Sequence, residues 1–284
     1  MSSGIVFHSL AALVYLGLAA VLWGTLQAGK PVETLGRQTR LGLVLAIGLQ
    51  GLALWFQMLD HGLLQINWAL ALSAAIWLGL VIYWLESLVI RIDGIQLLLL
   101  PVAGLACLFA GFYPNTLIIA SSDNPALRLH LLLALGAYGI ITIAAMQAAL
   151  MASLDYHLHN PRESVGRISS LRSALGRMLD AQPPLMTQER LLFRLVWIAF
   201  VALSLTIMTG ALITMGMTNR WLVLDHKTVF TLLSWLTFAV LLTGRVLKGW
   251  RGRIALRYTM IGFVFVVLSY SGSRFVVDVI LQRA

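Results

Sequence analysis

A single cysteine, Cys107, stands among 284 residues, and it sits inside an apolar run. One thiol cannot close an intrachain disulfide, and a CxxC redox pair is excluded. Acid is also scarce: eleven Asp and Glu stand against twenty Lys and Arg, for a formal net charge of +9. Paired carboxylates inside apolar segments, which a proton-coupled pump or ion-coupled transporter favours, are missing. The deepest acid, Glu86, lies near a helix end. There is no HExxH, no GxxxxGK[ST] and no nucleophile elbow, so catalytic chemistry has no motif to rest on. Internal repeats and low-complexity segments are absent, which leaves residues 1–284 as one integral-membrane domain.

Apolar residues, by contrast, make up 60% of the chain, and the mean hydropathy is +0.88. A soluble domain cannot bury that much apolar surface, so the composition specifies a membrane protein. A spanning helix needs about 20 mostly apolar residues. Eight stretches qualify, at about 4–26, 41–58, 68–89, 95–112, 127–154, 191–217, 228–247 and 258–281. The first lacks the basic leader of a secretory signal, since the first cation is Lys30, and is expected to stay as a helix. The fold class is all-α, a polytopic transmembrane bundle of about eight spans.

The cations fall between these stretches, so they report topology and anionic lipid rather than nucleic acid. Fifteen of the twenty follow the first, third, fifth and seventh stretches. That side is the cytoplasm by the positive-inside rule, which puts both termini on the outer, periplasmic face of a bacterial inner membrane. The long basic segment at 155–190 is then a cytoplasmic loop. Within it Val165, Ile168, Leu171, Leu175 and Leu179 recur at helical spacing, the pattern of a short amphipathic helix on the inner leaflet.

The chain is organised around residues 221–253, WLVLDHKTVFTLLSWLTFAVLLTGRVLKGWRGR. A polar loop with Asp225, His226 and Lys227 leads into an apolar helix, which ends in a basic turn with Arg245, Lys248, Arg251 and Arg253. Asp225 reads as the helix N-cap, and His226 as the first helical residue. Four histidines, His8, His61, His130 and His226, fall near the outer face. Together they are a candidate metal or haem site, against a plainer reading of His8 and His61 as solvated loop or helix-end residues. His130 follows the helix-start signal Asn124-Pro125. Tyr138, eight residues on, lies about two turns deeper on nearly the same face. An imidazole at that depth requires a partner or a cavity. Lys227 and Arg220 suit the acidic groups of a ligand. Arg274 either pairs with Asp278 one turn on or faces the outer cavity.

The segment 224–253 resembles the region after the tryptophan-rich loop of the cytochrome c assembly (CcsA/CcmC/HemX-like) membrane proteins, and within them the HemX/YpjD-like branch. His130 with Tyr138 is similar to that family's His-to-Tyr helix start. PPLMTQERLLFRL at 183–195 is similar to its entry into the next span, with a TMTG-type turn at 207–210. Asp225 and Lys227 match the Asp and Lys of its WxWDPKE core, and GWRGR at 249–253 reads as the family does. The likeness is strongest over about 127–276. Leu222 and Leu224 stand where the core has tryptophan, His226 replaces its proline and Thr228 its glutamate. The resemblance implies haem as cofactor, His130 as axial ligand, and a role in presenting haem at the periplasmic face beside a second membrane protein of a biogenesis complex. It supplies no second ligand; His226 is taken from position alone. The lost tryptophans leave a haem-free scaffold or regulator, docking another membrane protein through the basic inner surface, as the second expectation.

Overall fold

The computed structural model describes residues 3–28, 37–58, 65–88, 95–113, 117–118, 124–159, 184–218 and 223–275. Among them the chain forms eight helices: α1 (Ser3–Gln27), α2 (Arg37–Met58), α3 (Trp68–Ser87), α4 (Gln96–Phe112), α5 (Pro125–His159), α6 (Leu185–Thr218), α7 (His226–Lys248) and α8 (Arg253–Phe275). Six of them, α1, α2, α3, α5, α6 and α7, are long and apolar enough to cross a membrane. The only strands among the described residues are β1 (Gln65–Ile66) and β2 (Leu117–Ile118), an antiparallel pair with Gln65 opposite Ile118. Large side chains such as Leu13, Trp55 and Leu212 are more than half exposed on these helices. In water that would be a liability; in a bilayer it is the surface that meets lipid.

The chain divides into two compact units, Met1–Asp123 with Leu150–Gln188, and Asn124–Ala149 with Glu189–Ala284. In the first, α1 packs on α2 and α4. Its buried face runs Ala11, Tyr15, Ala19, Leu22, Leu26, the three- and four-residue spacing that puts side chains on one stripe of a helix. Asn67 joins two elements there. Its Oδ1 accepts the Leu70 N–H at 2.7 Å, capping α3. Its Nδ2 donates to the carbonyl of Tyr113 at the end of α4 (2.9 Å).

The first unit also holds a buried polar chain. Tyr15 Oη donates to Gln50 Oε1 (2.9 Å), and Gln50 Nε2 donates to the Ser73 hydroxyl (3.0 Å). Ser73 Oγ lies 3.4 Å from His8 Nε2, while His8 Nδ1 lies 3.2 Å from the Gly4 carbonyl. A carbonyl only accepts, so Nδ1 carries the proton and Nε2 accepts from Ser73. His8 and Ser73 are wholly buried. The expectation of a solvated His8 is therefore overturned: its ring is consumed in tying α1 to α3.

In the second unit α7 and α8 form an antiparallel pair, joined by the GWRGR turn. Gly249 is left-handed (φ 67°), the cap position where glycine escapes the Cβ clash. Its N–H returns to the Arg245 carbonyl at 3.1 Å, and the Trp250 N–H reaches the Gly244 carbonyl at 3.3 Å. The Trp250 ring then lies directly on Gly244, where a Cβ would strike it. Glu189 of α6 accepts the Gly252 N–H (3.4 Å) and faces Arg245 (3.9 Å) and Arg251 (4.0 Å). The Arg245 guanidinium sits 3.4 Å above the Phe193 ring. The basic turn is thus pinned by one acid and one aromatic face. Further along the pair, Ser234 donates to the Gly262 carbonyl (3.0 Å).

Several boundaries differ from the sequence reading. α5 runs on to His159, and α6 begins at Leu185 rather than near 191. Helices outlast their apolar runs because the backbone ladder continues wherever side chains are compatible with it. Residues 207–210 form no turn; they lie inside α6. The amphipathic segment with Val165 to Leu179 lies outside the described residues, as do Arg220, His61 and Asp278.

Candidate functional site

The site grows from the first turns of two helices. Asn124 Oδ1 accepts the Ala126 N–H (2.9 Å) and starts α5, with Pro125 at its first position. That places His130 one further turn in, half-buried. Asp225 Oδ1 accepts the Thr228 N–H (2.8 Å) and starts α7, so His226 is its first residue. Burial tends to raise the Asp225 carboxyl, but the Thr228 hydrogen bonds and the Lys227 ammonium together outweigh it. They hold the group below the ordinary aspartate value. The Lys227 carbonyl is clamped by the Thr231 hydroxyl (2.8 Å) and the Ser269 hydroxyl of α8 (3.0 Å), which fixes this end of α7 against its partner helix.

Residues of α5 and α6, with the start of α7, enclose a cavity of about 420 Å³, within the range of small-molecule sites. Its wall is mostly apolar, with polar contributions from His130, Tyr138, Thr206, Thr214, Asp225 and Lys227. His130 and Tyr138 do share a face, and Asp225 and Lys227 stand at the same cavity. His226 is exposed and is not among the lining residues. The backbone of Arg274 lies in α8, but its side chain is outside the described residues. Among the described residues no group of three or more His, Cys, Asp or Glu is placed to hold a metal ion.

His130 is held by two residues expected only as part of a turn, Thr209 and Gly210. Its Nδ1 lies 3.0 Å from Thr209 Oγ1. Its Cε1 lies 3.0 Å from where a Cβ on Gly210 would be, so the imidazole rests on the glycine backbone. Among the described residues the hydrogen bond of the ring falls on Nδ1 and none on Nε2. A threonine and a glycine in an apolar run give little sequence signal, since such threonines usually bond back to their own helix. The one available hint was that Gly210 and Thr214 suit a close helix approach.

The residues present fit a haem. One imidazole with an unpartnered nitrogen faces a largely apolar cavity, and a lysine stands beside it for a carboxylate. A group with one or two axial ligands needs no three-residue cluster.

The chain matches the family described as cytochrome C assembly protein over residues 6–281. It is 29% identical over 279 residues to the inner membrane protein YpjD of Escherichia coli K12, covering 97% of this chain and 99% of that protein. It is 26% identical over 195 residues to the cytochrome c biogenesis protein CcsA of Prochlorococcus marinus, covering 64% of this chain and 62% of that one. CcsA of Synechococcus is 28% identical over 196 residues, covering 60% and 61% respectively. No solved structure matches. The relatives' names and the apolar helices together make this a multi-pass protein of the bacterial inner membrane. With a family match over nearly its whole length, the chain belongs to the cytochrome c assembly protein family.

Proposed function

We propose that the protein binds or presents haem at the outer face of the inner membrane, in support of cytochrome c or haem-related biogenesis. The observation that carries this is His130, half-buried in the wall of an apolar cavity with Nε2 unpartnered among the described residues. His130 would hold the haem iron, and His226, between the lining residues Asp225 and Lys227, would be its second ligand. Lys227 and Arg274 serve the haem carboxylates, with Asp225 and Tyr138 as polar neighbours. Held by two histidines, haem would supply a redox-active iron with no open reactive position, which suits carriage rather than catalysis. The remaining work belongs to the chain: α5 sets the depth of the imidazole, and α7 presents the cations. This reading uses the eight-span arrangement with both termini outside, so that the starts of α5 and α7 face the periplasm. It leaves the basic inner surface for a second membrane protein of a biogenesis complex.

The test is an absorption spectrum of detergent-purified wild type beside His130→Ala and His226→Ala, with and without added hemin. A Soret band with sharp reduced bands, lost or shifted in both variants, supports the bis-histidine site. Loss in His130→Ala alone assigns the second position elsewhere. No band in hemin-supplemented wild type rejects the haem reading. It would favour a haem-free scaffold, for which Leu222 and Leu224 in place of tryptophans are the sequence evidence. A stoichiometric membrane partner that survives His130→Ala would then be expected.

A further inference from the structure

We infer that Thr209 and Gly210 of α6 form a positioning device for His130: the Thr209 hydroxyl accepts the Nδ1 proton, the glycine seats the ring, and Nε2 is left as a free base toward the cavity. A threonine hydroxyl has one proton to give. Thr209 Oγ1 already lies 2.8 Å from the Leu205 carbonyl and 3.1 Å from the Thr206 carbonyl, both pure acceptors. Its proton goes to them, so the remaining contact at 3.0 Å to His130 Nδ1 is filled by a proton on the ring.

A neutral imidazole has one proton. Fixing it on Nδ1 leaves the lone pair on Nε2. Histidines that bind metals almost always donate their other N–H to a fixed acceptor, which sets tautomer and orientation and raises ligand basicity. The seat matters equally. A Cβ at position 210 would lie 3.0 Å from Cε1, so the ring would have to shift by a few tenths of an ångström to admit it. Thr209 touches no ligand in this account and acts through His130. The use of Nε2 toward haem iron rests on the reading above; the tautomer does not.

The experiment therefore begins without haem. Protein with ¹⁵N-labelled histidine, in detergent at about pH 8, gives tautomers from the nitrogen resonances, and His130 is identified by its disappearance in His130→Gln. The expected result is Nδ1–H in wild type, a shift toward Nε2–H in Thr209→Val, and return of Nδ1–H in Thr209→Ser. Nε2–H in wild type overturns the inference, as does an unchanged tautomer in Thr209→Val. The wild-type spectrum decides even if the valine variant does not fold. Hemin titration is the second arm: Thr209→Val weakens uptake on the order of 10- to 100-fold, and Thr209→Ser recovers most of it. Nδ1–H without any hemin uptake in wild type would reject the haem reading and leave the positioning device standing. Uptake equal in wild type and Thr209→Val would remove Thr209 from the ligand's support.

Discussion

His8 and His130 occupy similar settings in sequence, each a few residues into an apolar helix, and the fold gives them opposite fates. The ring of His8 is spent. Nδ1 faces the Gly4 carbonyl, Nε2 faces Ser73, Ser73 accepts from Gln50, and Gln50 accepts from Tyr15. His130 has one nitrogen satisfied and one left over, and the one left over has a cavity beside it. Burial alone is therefore a poor marker of function in a membrane helix. What counts is the hydrogen-bonding capacity that remains once the neighbours have taken theirs.

This contrast predicts opposite mutant phenotypes, and it is the largest effect expected. His8→Ala removes a wholly buried side chain and leaves Ser73 without an acceptor. It should lose on the order of 2–4 kcal/mol of stability, read by unfolding in detergent, while the haem band stays. His130→Ala should change stability by less than about 1 kcal/mol, yet lower hemin uptake at least about tenfold. A His8→Ala variant that folds normally but loses the band would reverse the assignment of the two residues.

The chain of donors in the first unit can be broken one link further along. Gln50→Leu strands the Tyr15 hydroxyl and takes a donor from Ser73, at a cost of about 1–3 kcal/mol. Adding Tyr15→Phe removes the stranded hydroxyl, so the double variant should be less unstable than the sum of the singles. Strict additivity would show that the groups do not act as one network.

On the cavity side, two glycines of the same helix give a sharper version of the comparison. A Cβ on Gly216 meets nothing within 4 Å, whereas one on Gly210 meets the His130 ring. Gly216→Ala should be neutral or stabilising by no more than about 1 kcal/mol, with hemin binding unchanged. Gly210→Ala carries the same backbone benefit but displaces the imidazole. A several-fold loss of hemin affinity without loss of stability would isolate the seat from the helix.

Much of this was legible in the sequence. Apolar runs located the eight helices among the described residues, six of them long and apolar enough to cross a membrane, because a bilayer imposes length and apolarity at once. Asn124-Pro125 and Asp225 marked two helix starts because capping is local chemistry, carried by the residue itself. The pairing of His130 with Tyr138 followed from helical period. What was not legible is tertiary. No pattern distinguishes Thr209, which meets a histidine on another helix, from Thr237, which bonds only to its own helix at Leu233. Nor does a histidine near a helix start announce whether a serine 65 residues away will occupy it. The turn expected at 207–210 failed for a different reason: an interior glycine costs a helix only about 1 kcal/mol and does not end it, and both Gly210 and Gly216 lie within α6.

The smallest effect expected lies at Asp225, where capping and ligand contact can be separated. As an exposed N-cap, its replacement by Ala should cost toward the lower end of about 0.5–2 kcal/mol, and Asp225→Asn much less, since asparagine caps nearly as well. The carboxyl is held below its ordinary value in the fold. The stability contributed by its charge is therefore fully present above the unfolded-state value of about 3.9 and is lost as pH falls through the lower folded value. Wild type and Asp225→Asn should thus differ slightly at neutral pH and converge in acid, while Asp225→Ala stays below both. If hemin uptake follows the same order as stability, Asp225 serves only to start α7 and aim Lys227. If Asp225→Asn keeps its stability but changes uptake, the charge itself is felt in the cavity, and the contrast with the first unit, where every polar group in the His8 chain is neutral and consumed within the fold, becomes stronger.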